Sequence, residues 1–318
     1  MRILVLGAGG TGGYFGGRLA QAGVDVTFLV RAPRAAQLAR DGLRIRSALG
    51  DAQLAVAHVT ADALPALAAR DPFDLVVLSC KAYDLDSSID AIAAAVGPST
   101  AVLPILNGLL HYAALDARFG ADAVLGGLCF ISAMKGADGE IVHLPSPPSV
   151  TFGERDASSN GSARTRAIEA VCAGAPGFDA VRSESFMQAA WNKFTFLAAL
   201  AAATCLMRAS IGHIVATDGG PAFLVSLHEE CLAVARAEGQ AIPAEAAAHA
   251  RSLLTRAGST VTASMLRDLE SGQEVEAAQI IGDMRARGHA AGLALPHLDA
   301  AWVHLQAYRA RRDTPDTP

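Results

Sequence analysis

A single lysine lies near the start of a long apolar segment in the second half of the chain. The segment AAWNKFTFLAALAAATCLM runs from Ala189 to Met207, and Lys193 is its one charged residue. A buried ammonium is costly unless it is paired, so the structural interpretation is that the stem packs while the charged head reaches water. The chemical interpretation is a working lysine, one that polarises a carbonyl group and donates a proton. The segment by itself favours the structural interpretation.

A glycine-rich loop near the amino terminus points to a second kind of chemistry. In LVLGAGGTGGYFGG, the residues Gly7, Gly9 and Gly12 form the pattern G-x-G-x-x-G between a predicted strand and a predicted helix. There the glycines allow a tight turn, close approach of the backbone to a pyrophosphate, and close helix packing. We predict that a dinucleotide binds to this loop, including its intervening residues Ala8, Gly10 and Thr11. A tight glycine turn without a ligand is the alternative.

The residue after the second predicted strand indicates which dinucleotide binds. An NAD site usually carries an acid roughly 20 residues past the loop, where it binds the ribose 2′-hydroxyl. In VDVTFLVRAPR that place is taken by Arg31, with Arg34 close behind. A guanidinium suits a 2′-phosphate through charge-assisted hydrogen bonds, so NADP is the predicted cofactor. The alternative is a pair of solvated surface arginines.

Two further predicted strands end in polar residues. Lys81 follows DLVVLSC, and Asn107 follows AVLPIL. The carboxyl ends of parallel strands face the ligand crevice in open α/β sheets, which favours a role in binding for both residues. Each could also be an ordinary loop residue.

The elements that must position these residues change character along the chain. The first half alternates short apolar strands with amphipathic segments, which is typical of β-α-β units around a parallel sheet. After about Ala180 the chain consists of long alanine-rich helical stretches. We predict an α/β Rossmann domain with a doubly wound, mostly parallel sheet over residues 1–182, and an all-α domain over residues 183–318.

Composition excludes several classes of function. The chain has 318 residues, a net charge of −5 and a hydrophobic content of 52%, and it has no basic stripe, so we expect no nucleic-acid partner. The uncharged run after Lys193 ends at Met207 and is too short to span a membrane. Five scattered cysteines indicate neither disulfides nor a metal site. We expect a cytoplasmic protein that acts on a small molecule. The one macromolecular partner that the sequence leaves open is a second copy of the chain, in a homodimer.

With these features in place, the sequence resembles the ketopantoate reductase family (2-dehydropantoate 2-reductases) over nearly its whole length. The matching features are the GAGGTGG loop, Arg31, Lys81 in CKAYD, Asn107 in LNG, Lys193 in WNKF, SMLRDLESGQEVE from Ser264 to Glu276, and the final GLALPHLDAAW. The resemblance implies an NADP-binding Rossmann domain joined to a helical domain, with a 2-oxo acid held in the cleft between them.

The same resemblance implies roles for individual residues. Lys193 would be the catalytic lysine, Glu276 its carboxylate partner, Asn107 a residue near the nicotinamide, and Ser264 a substrate contact. Reduction of a ketone leaves an alkoxide that needs a proton, which Lys193 could supply, and a nearby Glu276 would hold the ammonium in its charged state. Glu276 as a surface acid is the alternative. Ser264 and Glu276 can face one cleft only if the helix stops between them, and Ser271-Gly272 predicts such a stop.

The chain departs from the family pattern in its polar lining. Well-known bacterial members carry asparagines one and two helical turns after the catalytic lysine, whereas this chain has Leu197 and Ala201, and Ala278 replaces an acid two residues after Glu276. We therefore predict NADPH-dependent reduction of a branched 2-oxo acid, with ketopantoate as the leading substrate. The alternatives are a related hydroxyacid dehydrogenase with a less polar substrate and a catalytically silent NADP-binding protein.

Overall fold

The alternating strands and helices of the first half form the expected parallel sheet. In the computed structural model, which describes residues 1–156 and 161–314, the strands are β1 (Arg2–Leu6), β2 (Asp25–Leu29), β3 (Leu43–Arg46), β4 (Ala52–Leu54), β5 (Ala57–Val59), β6 (Leu75–Leu78), β7 (Ala101–Pro104), β8 (Gly126–Phe130), β9 (Ala133–Lys135), β10 (Ile141–His143), β11 (Ser149–Gly153) and β12 (Asp179–Arg182). Five of these strands pair in parallel in the order β5-β2-β1-β6-β7. The order runs outward from β1 in both directions, so the predicted doubly wound arrangement is confirmed.

The helices of this part of the chain connect the strands, and two smaller sheets accompany them. The helices are α1 (Gly10–Gln21), α2 (Ala32–Asp41), α3 (Leu64–Arg70), α4 (Leu85–Ile92), α5 (His111–Phe119) and α6 (Ala163–Cys172). The small sheets have the orders β4-β3-β10-β9 and β12-β11-β8. The hairpin formed by β9 and β10 joins β3 through a parallel pairing of β10.

Helix α1 packs unusually close to its neighbours. A Cβ atom on Gly16 would lie 2.8 Å from the ring of Phe28 in β2, and one on Gly17 would lie 2.7 Å from Ile45 in β3. Both distances are shorter than real Cβ contacts, so a larger residue at either position would force the facing side chains to shift. The close approach holds the second half of α1 against β2 and β3.

The second half is helical, as predicted. Its helices are α7 (Phe186–Met207), α8 (Ile211–Val215), α9 (Gly220–Ala237), α10 (Ala244–Leu254), α11 (Ser264–Glu270), α12 (Asp283–Ala290) and α13 (Pro296–Asp313). The chain divides into one unit of Met1–Leu106 and His111–Met187 and another of Asn107–Leu110 and Gln188–Pro318. The division follows Met187, whereas the sequence suggested residue 182, and the short segment Asn107–Leu110 groups with the helical unit.

Helix α7 is the apolar segment that carries Lys193. By length and composition alone it could cross a membrane, but 67% of its most apolar window is buried within the protein, as in the core helices of globular proteins. Its small residues allow close packing, and Ala198, Ala202 and Ala203 are fully buried. The hydroxyl groups of Thr195 and Thr204 donate to the carbonyl groups of their own helix, so these polar side chains are satisfied.

The helix stop that the sequence predicts at Ser271-Gly272 is confirmed. Helix α11 ends at Glu270, and Gly272 adopts a left-handed conformation with a φ of +72°. After the turn, residues Ala278–Gly282 form a π-helical segment that leads directly into α12. Ser264 therefore begins α11, whereas Glu276 follows the turn and lies just before the π-helical segment.

Glu230 fastens the N-terminus of α13 to α9, and this contact gives a stability prediction. The buried Glu230 carboxylate accepts hydrogen bonds from the backbone N–H groups of His297 and Leu298, each at 3.0 Å, and one at 2.5 Å from the imidazole of His297. Glu230→Ala would leave two helix-end donors without an acceptor, so we expect a loss of about 2 to 4 kcal/mol in the free energy of unfolding.

Denaturant unfolding followed by tryptophan fluorescence measures this loss, because both tryptophans, Trp191 and Trp302, lie in the helical unit. Glu229→Ala is the matched control: Glu229 is exposed and pairs with Arg251 on the surface, so its loss should change the free energy of unfolding by less than about 1 kcal/mol. Equal stability of Glu230→Ala and the unaltered chain would contradict the assignment of this contact.

Candidate active site

The glycine loop has the geometry of a phosphate-binding turn. Gly7 follows β1 with a φ of +88°, a left-handed conformation that favours glycine, and its N–H donates to the carbonyl of Leu29 at 2.9 Å. Gly12 leaves no room for a side chain, since a Cβ there would lie 2.2 Å from Oγ of Ser79 and 2.5 Å from the carbonyl of Gly7. The Ser79 hydroxyl in turn donates to the carbonyl of Leu6 at 2.8 Å, which ties the ends of β1 and β6 together.

The remaining glycines of the loop differ in what surrounds them. A Cβ on Gly10 would lie 2.6 Å from the carbonyl oxygen of Ala133, whereas one on Gly9 would have no heavy atom within 4 Å. The first backbone bond of α1 runs from the N–H of Gly13 to the carbonyl of Gly9, so the amides of residues 10 to 12 precede the bonded ladder. Open space beside Gly9, next to amides at a helix start, fits a pyrophosphate.

The two arginines after β2 take different positions. Arg34 is half-buried in α2 and donates to the carbonyl of Ala8 at 3.0 Å and to Gln37 at 2.6 Å. Burial and the nearby Arg44 guanidinium lower the pKa of Arg34 below its usual value. Arg31 precedes α2, and its side chain is 83% exposed and contacts Asp84 at 3.4 Å. Arg34 therefore supports the loop, and Arg31 is the guanidinium that remains accessible to an anion.

Lys81 and Asn107 occupy equivalent positions after neighbouring strands. Strands β6 and β7 pair in register up to Leu78 and Pro104, so each residue lies three positions past the end of its strand. Lys81 is half-buried and precedes a single 3₁₀ turn, Ala82–Asp84. Asn107 groups with the helical unit.

The helical unit brings two of the predicted residues into direct contact. The ammonium Nζ of Lys193 donates a hydrogen bond to Oδ1 of Asn107 at 3.0 Å, and both side chains are partly buried. Residues 86 positions apart along the chain therefore share one polar contact. A fixed amide oxygen therefore holds the ammonium in one orientation.

The segment after Glu276 packs against the loop that follows β7 and contains Asn107. Gly108 follows Asn107 with a φ of +78°, and a Cβ on it would lie 2.5 Å from the carbonyl oxygen of Gln279. Glu276 itself is 7% exposed, and its carbonyl accepts from the N–H of Ile280 at the start of the π-helical segment. Neither Gly108 nor the buried Gln279 was predicted from the sequence, and π-helical turns such as Ala278–Gly282 occur frequently at functional sites of proteins.

The other predicted positions have simpler surroundings. Ser264 is half-buried as the first residue of α11, and its role as a substrate contact rests on the resemblance alone. Leu197, one turn after Lys193, is half-buried, and Ala201, two turns after it, is fully buried. No cluster of three or more metal-ligating side chains is present within residues 1–156 and 161–314.

Two family models match this chain on either side of its division. The N-terminal model of ketopantoate reductase PanE/ApbA matches residues 3–157, and the C-terminal model matches residues 185–309. The chain belongs to the ketopantoate reductase family. It is therefore an oxidoreductase of a family that uses nicotinamide cofactors, and the predicted Rossmann and helical domains are those of the family.

Similar proteins agree with the family but differ in what is known of them. An uncharacterized oxidoreductase of Bacillus subtilis (strain 168), YkpB, is 36% identical over 98% of this chain and 100% of its own length. A 2-dehydropantoate 2-reductase of Mesorhizobium japonicum is 28% identical, with 98% and 99% covered.

Among solved structures, a 2-dehydropantoate 2-reductase of Geobacter metallireducens has a TM-score of 0.84 at 28% identity, with 96% of this chain and 99% of that chain covered. D-mandelate dehydrogenase in complex with NADH and anilino(oxo)acetate has a TM-score of 0.86 at 20% identity, with 99% and 100% covered, which shows a shared fold.

Proposed function

We propose that this enzyme uses NADPH to reduce a branched 2-oxo acid to the 2-hydroxy acid, with 2-dehydropantoate as the leading substrate. The observation that carries the proposal is the 3.0 Å hydrogen bond from Nζ of Lys193 to Oδ1 of Asn107. It holds an ammonium at a defined place beside the loop that follows β7. The alternative of a merely snorkelling lysine gives no reason for a partly buried amide partner.

The first unit supplies the cofactor site of the proposal. Loop residues Gly7 to Gly12 would hold the pyrophosphate, and the exposed Arg31 would bind the 2′-phosphate. Lys81 and Asn107 follow the strands at the edge where cofactors bind in such sheets. The bound cofactor supplies the hydride, and all the remaining chemistry belongs to side chains of this chain.

The proposed chemistry of the helical unit follows from charge. An ammonium donor beside the substrate carbonyl stabilises the negative charge that develops on its oxygen, and it can then give that oxygen a proton. Asn107 holds Lys193 in one orientation, so little reorganisation is needed during reaction. We propose Glu276 as the carboxylate partner that keeps Lys193 protonated and Ser264 as a substrate contact.

An assay with purified protein tests the proposal. NADPH is mixed with a panel of 2-oxo acids, including ketopantoate, and the absorbance of the reduced cofactor is followed. We expect consumption of NADPH that depends on a branched 2-oxo acid and is absent when the acid is omitted. Cofactor binding with no turnover on any 2-oxo acid would instead support the catalytically silent alternative.

The apolar residues after Lys193 predict how the enzyme discriminates among substrates. Leu197 and Ala201 cannot hydrogen-bond a substrate hydroxyl, and an apolar wall discriminates poorly against its loss. We expect kcat/KM for ketopantoate and for its deoxy analogue, 2-oxo-3,3-dimethylbutanoate, to differ by less than about a hundred-fold at saturating NADPH. A preference for ketopantoate above about a thousand-fold would mean that other polar side chains recognise the hydroxyl.

The same two residues favour a second candidate, a hydroxyacid dehydrogenase with a less polar substrate. The panel therefore includes 2-oxo-2-phenylacetate, the 2-oxo acid that corresponds to mandelate. A higher kcat/KM for this compound than for ketopantoate would favour the second candidate. If ketopantoate is the substrate, we place the enzyme in pantothenate biosynthesis in the cytoplasm, without a nucleic-acid or membrane partner; a homodimer stays a prediction.

A further inference from the structure

An ion pair crosses the carboxyl end of the central strand. Nη2 of Arg31, which follows β2, lies 3.4 Å from Oδ1 of Asp84, the last residue of the 3₁₀ turn after β6. Strands β2 and β6 flank β1 on its two sides, and the glycine loop begins where β1 ends. The pair therefore connects the two sides of the predicted dinucleotide site.

The two partners differ in how firmly they are held. The Arg31 side chain is 83% exposed, whereas that of Asp84 is 40% exposed and belongs to a short hydrogen-bonded turn, in which its N–H donates to the carbonyl of Lys81 at 2.9 Å. Exposed ion pairs contribute little to stability, so a 3.4 Å contact with an exposed guanidinium separates easily. Arg31 can leave Asp84 for another anion, but leaving has a small cost.

Only a cofactor with a 2′-phosphate has to break the ion pair between Arg31 and Asp84. A 2′-phosphate that binds Arg31 must compete with the Asp84 carboxylate for the same guanidinium, whereas a 2′-hydroxyl makes no such demand. We propose that Asp84 is a specificity-determining residue that weakens NADPH binding and so reduces the preference for NADPH over NADH. This inference rests on the proposed role of Arg31 in binding the cofactor.

Asp84→Asn tests the inference by equilibrium binding. The variant removes the charge but keeps the shape, so we expect the Kd for NADPH, measured calorimetrically on the full chain, to fall about threefold to tenfold. The Kd for NADH should stay within about twofold of its original value. The gain should shrink in 0.5 M salt, because salt screens exposed charges.

Two further variants separate this role from a general effect of charge. Asp86→Asn removes an equal charge from the exposed face of α4, two residues away, and should leave both Kd values within about twofold. In an Arg31→Ala background, Asp84→Asn should improve NADPH binding by no more than about twofold, since only direct repulsion between the carboxylate and the phosphate remains.

The outcomes distinguish this inference from the proposed function. An unchanged NADPH Kd in Asp84→Asn, an equal gain for NADH, an equal gain in Asp86→Asn, or a full gain without Arg31 would each overturn the role of Asp84. If the unaltered chain binds neither NADPH nor NADH, the proposed function itself fails. Tight NADPH binding that Asp84→Asn does not alter overturns only the role of Asp84.

Discussion

Replacing Lys193 with alanine is expected to lower kcat by about a hundred-fold to ten-thousand-fold, the range that general acid catalysis contributes. The reason is that the alanine variant leaves the carbonyl oxygen without a donor while its negative charge develops. The Kd for NADPH should stay nearly constant, because the predicted cofactor loop belongs to the N-terminal unit, whereas Lys193 belongs to the helical unit. Steady-state kinetics with the best acid of the panel, together with calorimetric NADPH titration, measure both quantities.

Lys193→Arg is the matched control for this prediction. It keeps the positive charge, but a guanidinium does not release its proton in the physiological range. We expect the KM for the 2-oxo acid to be largely retained while kcat stays low, which separates substrate attraction from proton donation. A folded Lys193→Ala protein with normal turnover would return Lys193 to the structural interpretation and leave its contact with Asn107 as a packing feature.

Replacing Arg31 with alanine is expected to weaken NADPH binding by about 10-fold to 100-fold, because charge-assisted hydrogen bonds to a phosphate contribute about 1.5 to 3 kcal/mol. NADH lacks the 2′-phosphate, so its Kd should change by less than about threefold. The unaltered enzyme should therefore prefer NADPH, and the variant should lose most of that preference. Titration of both cofactors into both proteins measures the two ratios.

The control for Arg31→Ala is another arginine of the same helix region. Arg40 lies in the last turn of α2, where it pairs with Asp41 on the surface, and its guanidinium is 71% exposed. Arg40→Ala removes an equal charge without the predicted contact, so both Kd values should stay within about twofold. Equal affinity of the unaltered protein for NADPH and NADH would contradict the predicted cofactor.

The parts of the site that depend on local sequence are the parts that the sequence predicted well. A tight turn at Gly7 and the helix stop at Ser271-Gly272 follow from the conformational freedom of glycine within a few residues. The local sequence does not show which of the two arginines, Arg31 or Arg34, remains accessible to an anion. Both follow β2, and only the packing of α2 against the loop shows that Arg34 reaches the carbonyl of Ala8.

The sequence pattern did not predict contacts between residues that are far apart along the chain. Lys193 and Asn107 were each predicted separately. The spacing of apolar residues does not show that two residues 86 positions apart are in contact. For the same reason, the grouping of residues 107–110 with the helical unit was not predicted. The π-helical segment after Glu276 was also missed, because one extra residue in a helical turn hardly alters the spacing of apolar side chains.

The glycines of α1 also determine when this helix can become stable during synthesis of the chain. Five of the twelve residues of α1 are glycine, which makes the isolated helix about 4 to 5 kcal/mol less favourable than an alanine helix. Its stability must come from tertiary contacts, and these include Ile45 in β3 and Ala133 in the hairpin of β9 and β10. During synthesis, α1 leaves the ribosome before the other helices described here. It cannot become stable until much later in synthesis, since β9 and β10 complete its surroundings only when residue 143 has emerged.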